Sequence, residues 1–499
     1  MFNPSPTTIL KFTSSALRSE SDLPRAAHEI YREWRRGRRV LAVVPAFGCT
    51  SDDLLKRAEQ LGLPPQREGL AALLGTGETA AAALLTLALD RSGIPATLLD
   101  PAQIALITDG DPLAADPVSV DVPYLQDELR RAVVVVPGSV GRDRAGRPTR
   151  LSRGGLDRFL ARALDASLRE IGPAGPPRRP LRVALLGCGT VGGGVLARLL
   201  ASPELFRVTG VAVRSLDRIR HPTVPRGLLT NDPAALVEGE ADVVVELLGG
   251  REPARSLIAR ALDRGCHVVS ANKALLAEDG ETLAELAARR GVSLRYSAAV
   301  GGALPALETV RRAAASGRVR GVAGVLNGTC NFVLDRCAAG ASFDDAVSLA
   351  RVAGYAEADP TLDLDGSDAA QKLALLIREA FGEAVPWRDI PRRGIADLDD
   401  GTLAEAARKG RKVRLVASCE RAKEGLRASV QPFDLSPDHP FAEIAGAENA
   451  LLVELEGGER LRIAARGAGR WPTTEAVLAD LHDLAAEAAE IAEAEEVVA

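Results

Sequence analysis

The chain has 499 residues, and at about 150 residues per domain this length predicts roughly three domains. Hydrophobic residues make up 46% of the chain and charged residues 26%, which is typical of folded globular proteins. A net charge of −5 argues against a surface that binds nucleic acid or an anionic membrane. We therefore expect a small-molecule substrate, and neither a nucleic-acid nor a membrane partner.

The six cysteines are scattered along the chain, and no Cys-x-x-Cys pair occurs. Together with the five histidines they show no metal-ligand spacing, which disfavours a zinc site. Thiols without a pairing pattern are typical of a reducing compartment, so we expect a cytoplasmic protein.

Hydrophobic patterns ahead of residue 170 alternate between helix and strand. The proline- and glycine-rich segment Ile171–Pro180 can form neither and is predicted to be a linker. The apolar run Thr79–Leu89 is shorter than the roughly 20 residues that span a bilayer. The elements predicted in this α/β region are strands at Arg39–Val44 and Ala132–Val136, and helices at Thr79–Leu89 and Leu156–Leu168.

A second α/β region begins directly after the linker. Its strand–helix–strand rhythm predicts a parallel sheet with right-handed crossovers. The predicted elements are strands at Leu181–Leu186, Phe206–Val213, Asp242–Leu248 and His267–Ser270, and a helix at Val191–Leu200. Beyond about residue 300 the pattern predicts longer helices with acidic loops, and Leu484–Ala499 is predicted to be a solvated or frayed helix.

The first strand of this region runs into a G-x-G-x-x-G sequence, Gly187 to Gly192, which opens a helix within a strand–helix–strand unit. In this context Gly187 permits the tight turn, Gly189 lets the backbone approach a pyrophosphate, and Gly192 lets helix and strand pack closely. The amides of Thr190 and Val191 would face the phosphates at the helix N-terminus. The motif predicts a Rossmann dinucleotide-binding domain.

The second strand of this unit is followed by Arg214. NAD-specific sites usually carry an acidic residue there for the ribose 2′-hydroxyl, whereas an arginine suits a 2′-phosphate. Asp217 lies close enough to compete with this interpretation. We expect NADP to be preferred over NAD.

Asp368 and Lys372 stand four residues apart at the start of an apolar helix, so they share a face. One interpretation is a helix-surface ion pair, which contributes little to stability. The other is an oriented proton donor, because reduction of a carbonyl by hydride also requires a proton for the oxygen, which a lysine can deliver. The spacing alone leaves both interpretations open.

Four strings resemble homoserine dehydrogenase: GCGTVGGG from Gly187, ANKALLA from Ala271, GVLNGTCNFVL from Gly324 and GYAEADPTLDLDGSDAAQK from Gly354. A fifth string, ARGAGRWPTTEAVLADL from Ala465, extends the resemblance, which runs from about residue 181 to residue 484. It implies NAD(P)-linked interconversion of L-homoserine and L-aspartate 4-semialdehyde, in threonine and methionine biosynthesis, by a homo-oligomer.

The resemblance also implies roles for individual residues. Lys372 would be the proton donor and acceptor, with Asp368 beside it, and Lys273 would reach both cofactor and substrate. The substrate would be held by Asp368, Glu357, Thr329, Tyr355 and Asp363. Besides the glycine motif, the cofactor would be lined by Arg214, Ser270, Lys273, Gly354 and Gly467. Carboxylates suit the ammonium of homoserine, and lysines suit its carboxylate and its reacting oxygen.

The family often binds a monovalent cation near a Y-E-A-x-V-G-x-G string, which here begins YSAAVGG at Tyr296. Ser297 stands where a carboxylate is usual. The carbonyls around Val300 and Gly302 would therefore bind sodium or potassium weakly, and we expect activity that depends little on either ion.

Residues 1–170 resemble the front part of an aspartate kinase, with a first string at Lys11 and a later one, SRGGLD, at Ser152. A Thr-Ser pair replaces the paired glycines that give a phosphate access to the backbone, and Leu156 replaces a serine. Phosphoryl transfer needs a complete phosphate cradle and metal ligands. We expect a truncated, degenerate kinase remnant in which Lys11 and Glu78 are surface charges.

Together these expectations describe an α/β protein with a truncated amino-acid-kinase-like domain (1–170), a linker (171–180), a Rossmann domain (181–310), an α+β substrate-binding and dimerisation domain (311–464) and a segment returning to the Rossmann domain (465–499). The expected function is that of a homoserine dehydrogenase. A bifunctional aspartate kinase–homoserine dehydrogenase and a non-catalytic NADP-binding regulator remain alternatives. An aldehyde dehydrogenase that uses Cys330 is a further alternative, although no histidine is paired with that cysteine in the sequence.

Overall fold

A computed structural model describes residues 5–61, 66–152, 154–172, 179–217, 224–356, 359–398 and 400–498. The chain divides into two compact units, residues 1–176 and 177–499. The boundary falls in the proline-rich segment, most of which lies outside the described residues. Ile171, at the start of that segment, still belongs to a strand.

The first unit contains a parallel and a mixed sheet. Its strands are β1 (Thr7–Phe12), β2 (Arg39–Val44), β3 (Ala96–Leu98), β4 (Ile107–Asp111), β5 (Ala114–Ser119), β6 (Val133–Pro137), β7 (Val140–Asp143), β8 (Pro148–Arg150) and β9 (Ser167–Ile171). Its helices are α1 (Leu23–Arg35), α2 (Thr50–Gln60), α3 (Arg67–Arg91), α4 (Val122–Arg131) and α5 (Gly155–Ala163). The parallel sheet has the order β3-β6-β2-β1-β9, and the mixed sheet has the order β5-β4-β7-β8.

Helix α3 extends well beyond the predicted Thr79–Leu89. Among the described residues it is the one helix whose length and composition would allow it to cross a membrane. It packs on β6, and Ala81, Leu85 and Leu89 are fully enclosed. This burial is that of a core helix within a folded unit.

The predicted helix Leu156–Leu168 is wrong at its C-terminal end. Helix α5 ends at Ala163, Asp165 has a φ of 49°, and β9 follows. Strand β9 pairs in parallel with β1, with Ser167 opposite Thr8. The pairing partner lies more than 150 residues away, so the local hydrophobic pattern did not reveal the strand.

The second unit contains a parallel and an antiparallel sheet. Its strands are β10 (Leu181–Leu186), β11 (Phe206–Ala212), β12 (Leu229–Thr230), β13 (Val243–Glu246), β14 (His267–Ser270), β15 (Leu294–Arg295), β16 (Val319–Val325), β17 (Lys412–Ala422), β18 (Gly425–Leu435), β19 (Glu448–Leu455) and β20 (Arg460–Arg466). Its helices are α6 (Thr190–Leu200), α7 (Pro233–Glu238), α8 (Ala254–Asp263), α9 (Lys273–Arg290), α10 (Ser297–Gly301), α11 (Ala306–Ser316), α12 (Gly328–Ala338), α13 (Phe343–Val352), α14 (Thr361–Leu364), α15 (Ser367–Phe381), α16 (Asp400–Arg408) and α17 (Arg470–Val498).

The parallel sheet of this unit has the order β12-β11-β10-β13-β14-β15. This is the Rossmann order, in which the direction of strand addition reverses between β10 and β13. Ligands of such sheets bind beyond the carboxyl ends of the strands at this reversal. The glycine motif follows β10 and therefore lies at the expected ligand edge, which confirms the predicted fold class.

The antiparallel sheet has the order β18-β17-β16-β19-β20. The sequence pattern predicted mainly helices beyond residue 300 and did not reveal these strands. In β17 the residues Val413 to Ala417 are all buried. A strand buried continuously lacks the period-two alternation that identifies a half-exposed strand.

The first half of helix α17 packs on the parallel sheet and on α6. Its residues Val477, Leu481 and Leu484 share one hydrophobic core with Val195 of α6 and Val183 of β10. Leu484, predicted as the start of a solvated tail, is therefore buried.

Candidate active site

The glycine motif forms the turn between β10 and α6. Gly187 has a φ of +104°, and a Cβ there would lie 2.6 Å from the Leu247 carbonyl oxygen. A Cβ on Gly192 would lie 2.2 Å from the Gly187 oxygen, whereas a Cβ on Gly189 would meet no atom within 4 Å. The protein's own packing requires the first and third glycines, and the space beside Gly189 is open. This arrangement fits a dinucleotide pyrophosphate at the N-terminus of α6.

A buried carboxylate, Glu246, organises the loops at the ends of β13 and β14. Its Oε2 accepts a hydrogen bond from Ser270 Oγ (2.7 Å), and its Oε1 accepts one from the Leu248 amide (2.9 Å). Asn272, which caps α9, donates to the Gly250 carbonyl (2.6 Å). Ser270 is fully enclosed, so its hydroxyl stabilises the loop. Sequence reasoning missed Glu246, although an acid that ends the run VVVE is a usable signal.

Three helices begin close together in the second unit: α9 at Lys273, α12 directly after Asn327, and α15 with Asp368 in its first turn. Asp368 Oδ1 lies 2.8 Å from Lys273 Nζ, and Asp368 Oδ2 lies 2.9 Å from Lys372 Nζ. Asn327 Nδ2 donates to the same Oδ2 at 2.8 Å. The structure thus brings the three predicted catalytic residues into one cluster.

The Asp368–Lys372 pair is not a helix-surface ion pair, because the two side chains are only 4% and 10% exposed. Burial raises the pKa of the Asp368 carboxyl, but the neighbouring ammonium groups of Lys372 and Lys273 outweigh it and hold that pKa below its usual range. Lys372 Nζ also donates to the Leu326 carbonyl at 2.7 Å. The carboxylate therefore stays charged and fixes the lysine in place.

The predicted substrate residues border this cluster. Asp363 Oδ1 accepts a hydrogen bond from Asn327 Nδ2 (2.8 Å), and burial together with the charge of Asp368 raises the pKa of the Asp363 carboxyl. Thr329 Oγ1 donates to the Tyr355 carbonyl at 2.6 Å. The Tyr355 side chain is about half exposed. Glu357, the remaining predicted substrate residue, lies outside the described residues.

Cys330 is an unsuitable nucleophile in this arrangement. The residue is fully buried, and its thiol donates to the Asp363 carbonyl (3.2 Å). Burial, followed by the charge of Asp363, raises the pKa of the thiol well above its usual value. A thiol that is enclosed and protonated does not favour an aldehyde dehydrogenase of the cysteine-dependent class.

The other predicted cofactor and cation residues are spread over several loops. Arg214 is exposed just beyond β11, and Gly354 is exposed with a φ of +77°. Gly467 is buried against Gly302, since a Cβ on Gly302 would lie 2.6 Å from the Gly467 oxygen. Val300, two residues before Gly302, is also buried.

Two carboxylates that sequence reasoning missed lie at Ser297. Its Oγ lies 2.5 Å from Glu308 Oε1 and 2.9 Å from Asp480 Oδ1. The position without a carboxylate is thus flanked by carboxylates from two other helices. Within the part of the chain that the structure describes, no group of three or more His, Cys, Asp or Glu side chains could hold a metal ion.

In the first unit, the expectation that Glu78 is a surface charge is wrong. The residue is 5% exposed, and its Oε2 accepts a hydrogen bond from the Ser139 amide (2.5 Å). Burial raises the pKa of the Glu78 carboxyl despite the hydrogen bonds that the amide and hydroxyl of Ser139 donate to it. Lys11 is partly exposed and lies 3.2 Å from the buried Asp157.

Three family models match successive parts of the chain. The amino acid kinase family matches residues 6–170, the homoserine dehydrogenase NAD-binding domain matches residues 187–297, and homoserine dehydrogenase matches residues 305–482. The parallel sheet with its glycine turn therefore binds a nicotinamide cofactor.

Relatives and solved structures agree with these matches. The homoserine dehydrogenase of Synechocystis sp. is 38% identical over 314 residues, 60% of this chain and 72% of that protein. That of Corynebacterium glutamicum is 38% identical over 333 residues, 63% of this chain and 74% of that protein. The crystal structure of a homoserine dehydrogenase from Thiobacillus denitrificans covers 62% of this chain and 73% of its own, with a TM-score of 0.58 and 38% identity. The chain therefore belongs to the homoserine dehydrogenase family of NAD(P)-dependent oxidoreductases, with a region of the amino acid kinase family preceding the dehydrogenase region in the sequence.

Proposed function

We propose that this chain catalyses the reversible oxidation of L-homoserine by NADP to L-aspartate 4-semialdehyde, NADPH and a proton, as a cytoplasmic step towards threonine and methionine. The observation that carries the proposal is the buried carboxylate of Asp368 between the ammonium groups of Lys273 and Lys372. The test follows NADPH absorbance with L-homoserine and NADP or NAD. A folded protein that binds NADP but turns over with neither cofactor would favour the alternative of a non-catalytic regulator.

Lys372 is the residue that would move the proton. An ammonium group has three N–H donors, and the Leu326 carbonyl and Asp368 Oδ2 occupy two of them. The third is available to the substrate oxygen. In the oxidation direction the neutral amine accepts the hydroxyl proton, and in the reduction direction the ammonium returns a proton to the developing alkoxide. The bound nicotinamide accepts or supplies the hydride.

The remaining residues around the cluster would hold the amino acid portion of the substrate. Asp363 and Glu357 supply negative charge for the substrate ammonium, with Thr329 and Tyr355 beside them. Lys273, which is 41% exposed, supplies positive charge on the side of the substrate carboxylate and the cofactor.

The cofactor would lie along the carboxyl edge of the parallel sheet. The open space at Gly189 and the amides of Thr190 and Val191 suit its pyrophosphate. The remaining residues proposed to line it are Arg214, Lys273, Gly354 and Gly467, and Ser270 would act through the loop that its hydroxyl stabilises.

We expect alanine substitutions in the glycine motif to separate binding from folding. Gly189 has a φ of −82°, which alanine adopts freely, so Gly189→Ala should leave the melting temperature unchanged and weaken NADPH binding about tenfold or more. Gly192→Ala should lower the melting temperature, because its Cβ would overlap the Gly187 oxygen. Fluorescence titration and thermal melts measure both effects. Wild-type affinity in Gly189→Ala would contradict the assignment of the pyrophosphate to this turn.

The proposed preference for NADP rests on Arg214. We expect Arg214→Ala to weaken NADPH binding about tenfold, the value of one charge-assisted hydrogen bond, and to leave NADH binding unchanged. Arg207→Ala is the matched control, since Arg207 is exposed near the opposite, amino end of the same strand. A wild-type preference for NAD of about tenfold or more would exclude this role for Arg214.

We propose that the first unit is a catalytically silent kinase remnant and that the protein is not a bifunctional aspartate kinase–homoserine dehydrogenase. At its predicted phosphate loop the Thr13 hydroxyl donates to the Ile171 carbonyl (3.2 Å), so a side chain occupies the space that paired glycines would leave open. We expect no aspartate-dependent ATP hydrolysis and no aspartyl phosphate trapped by hydroxylamine. Either signal above that of a Lys11→Ala control would show an active kinase.

We propose a homo-oligomer that associates through the α+β region at 311–464. The exposed side chain of Phe433 on the edge strand β18 supports this assignment. Within each chain, the segment at 465–499 would pack on the Rossmann domain at 181–310. We also propose that carbonyls near Val300 and Gly302 bind sodium or potassium weakly, with little effect on activity.

A further inference from the structure

The carbonyl oxygen of Leu326 accepts two side-chain hydrogen bonds in the active-site cluster. Lys372 Nζ donates at 2.7 Å, and Asn449 Nδ2 donates at 3.1 Å. Leu326 lies between the last residue of β16 and Asn327, which caps α12. A carbonyl has two lone pairs and can serve both donors. Asn449 therefore shares the acceptor that orients the proposed proton-transfer lysine.

Asn449 also contacts the turn assigned to the cofactor. It lies in β19, is 1% exposed, and its Nδ2 occupies the place of a side chain on Gly467, where a Cβ would come within 1.7 Å. The Gly467 carbonyl in turn packs on Gly302. One amide thus touches the acceptor of Lys372 on one side and the Gly467 turn on the other.

One end of the Asn449 amide has a hydrogen-bond partner and the other end has none. Its Nδ2 must be the end that faces the Leu326 carbonyl, because only that end donates. The other end, Oδ1, is enclosed and has no hydrogen-bond partner among the described residues. An enclosed amide oxygen without a partner costs free energy that an apolar side chain would not cost.

We propose that Asn449 is a positioning residue for proton transfer. Its amide holds the Leu326 carbonyl in place, which aligns Lys372. It also shares the lone pairs of that carbonyl, so that the charged form of Lys372 is not stabilised too strongly. The proposal rests on the proposed dehydrogenase function. Without the amide, Lys372 becomes the single side-chain donor to the Leu326 carbonyl, whose lone pairs are then no longer shared. The ammonium is then held more tightly, and oxidation of homoserine, which needs the neutral amine, shifts to higher pH.

The experiment compares full-length wild type, Asn449→Ala and Asn449→Asp, a variant of the same shape whose carboxylate cannot donate to Leu326. We expect kcat for homoserine oxidation to fall about tenfold or more, and the acidic limb of the kcat–pH profile to move upward by about half a pH unit. KM for homoserine should stay within about twofold, because other residues hold the substrate.

Asn331→Ala is the matched control. Asn331 is equally buried, donates to the Glu448 carbonyl at 2.7 Å, and has an enclosed Oδ1, but it shares no acceptor with Lys372. It should lower the melting temperature and leave the pH profile in place. An unshifted profile in both Asn449 variants, with wild-type turnover intact, would overturn this role while leaving the proposed function standing. Absence of turnover in wild type would overturn both.

Discussion

Replacing Lys372 by alanine is expected to reduce kcat for homoserine oxidation by about 10²- to 10⁴-fold, which is the usual contribution of a positioned general acid–base group. The loss follows from geometry, because Lys372 has one N–H free for the substrate oxygen after its bonds to Leu326 and Asp368. NADPH binding should stay within about threefold, since the glycine turn is untouched. Initial rates and fluorescence titration measure the two effects.

Lys409→Ala provides a matched control for this variant. Lys409 also pairs with an acid one helical turn earlier, Glu405, but its side chain is 63% exposed. We expect wild-type turnover. If Lys372→Ala kept more than about a tenth of the wild-type rate, the proton would have to move through another group, and our assignment would be wrong.

Asp368→Asn is expected to lower the free energy of unfolding of the second unit by about 3 kcal/mol, the lower part of the range for breaking a buried ion pair. The asparagine keeps the shape but leaves Lys372 without its counter-charge in an enclosed site. The half-exposed Lys273 can turn towards water, which limits the cost. Calorimetry measures the effect on the transition that NADP binding shifts, because this transition belongs to the nucleotide-binding unit.

The stability difference between wild type and Asp368→Asn should depend on pH in one direction. The pKa of Asp368 is lower in the folded chain than in the unfolded chain. Its contribution is therefore fully present above the unfolded value, about pH 3.9, and is lost only as the pH falls towards the folded pKa. We expect a constant difference from about pH 8 to pH 5 that shrinks below about pH 4. A difference that grew towards acid pH would contradict the arrangement of charges.

Glu405→Gln serves as the control, because Glu405 pairs with Lys409 at the surface. Its unfolding transition should match that of wild type throughout this pH range. If Glu405→Gln lowered the free energy of unfolding as much as Asp368→Asn does, loss of any carboxylate would destabilise the unit, independently of burial.

Several features were accessible from the sequence because their causes are local. Gly192 must be glycine because a Cβ there would overlap the Gly187 oxygen five residues earlier, so the motif predicted the dinucleotide site. Strands β10 and β14 have the predicted bounds, since each is built around a short run of apolar residues. The i,i+4 spacing of Asp368 and Lys372 likewise placed them on one helical face.

Other features depended on partners far along the chain. Strand β17 escaped detection because its continuously buried half lacks alternation, and β9 escaped detection because its pairing with β1 spans most of the first unit. The burial of Glu78 in α3 also escaped detection, since Ser139 supplies its hydrogen bonds from a distant loop.

The sequence by itself determined the α/β class, the glycine turn and the resemblance to homoserine dehydrogenase, because each is carried by residues that are close together in the chain. Only the tertiary structure excluded the interpretation of Asp368 and Lys372 as a helix-surface ion pair, because it shows that both side chains are buried. Helix α9 brings Lys273 to Asp368, and β16 and β19 bring the Leu326 carbonyl and Asn449 to Lys372. The two side chains are buried because these elements converge on them. Burial distinguishes this fixed, charged cluster from a common ion pair on a helix surface.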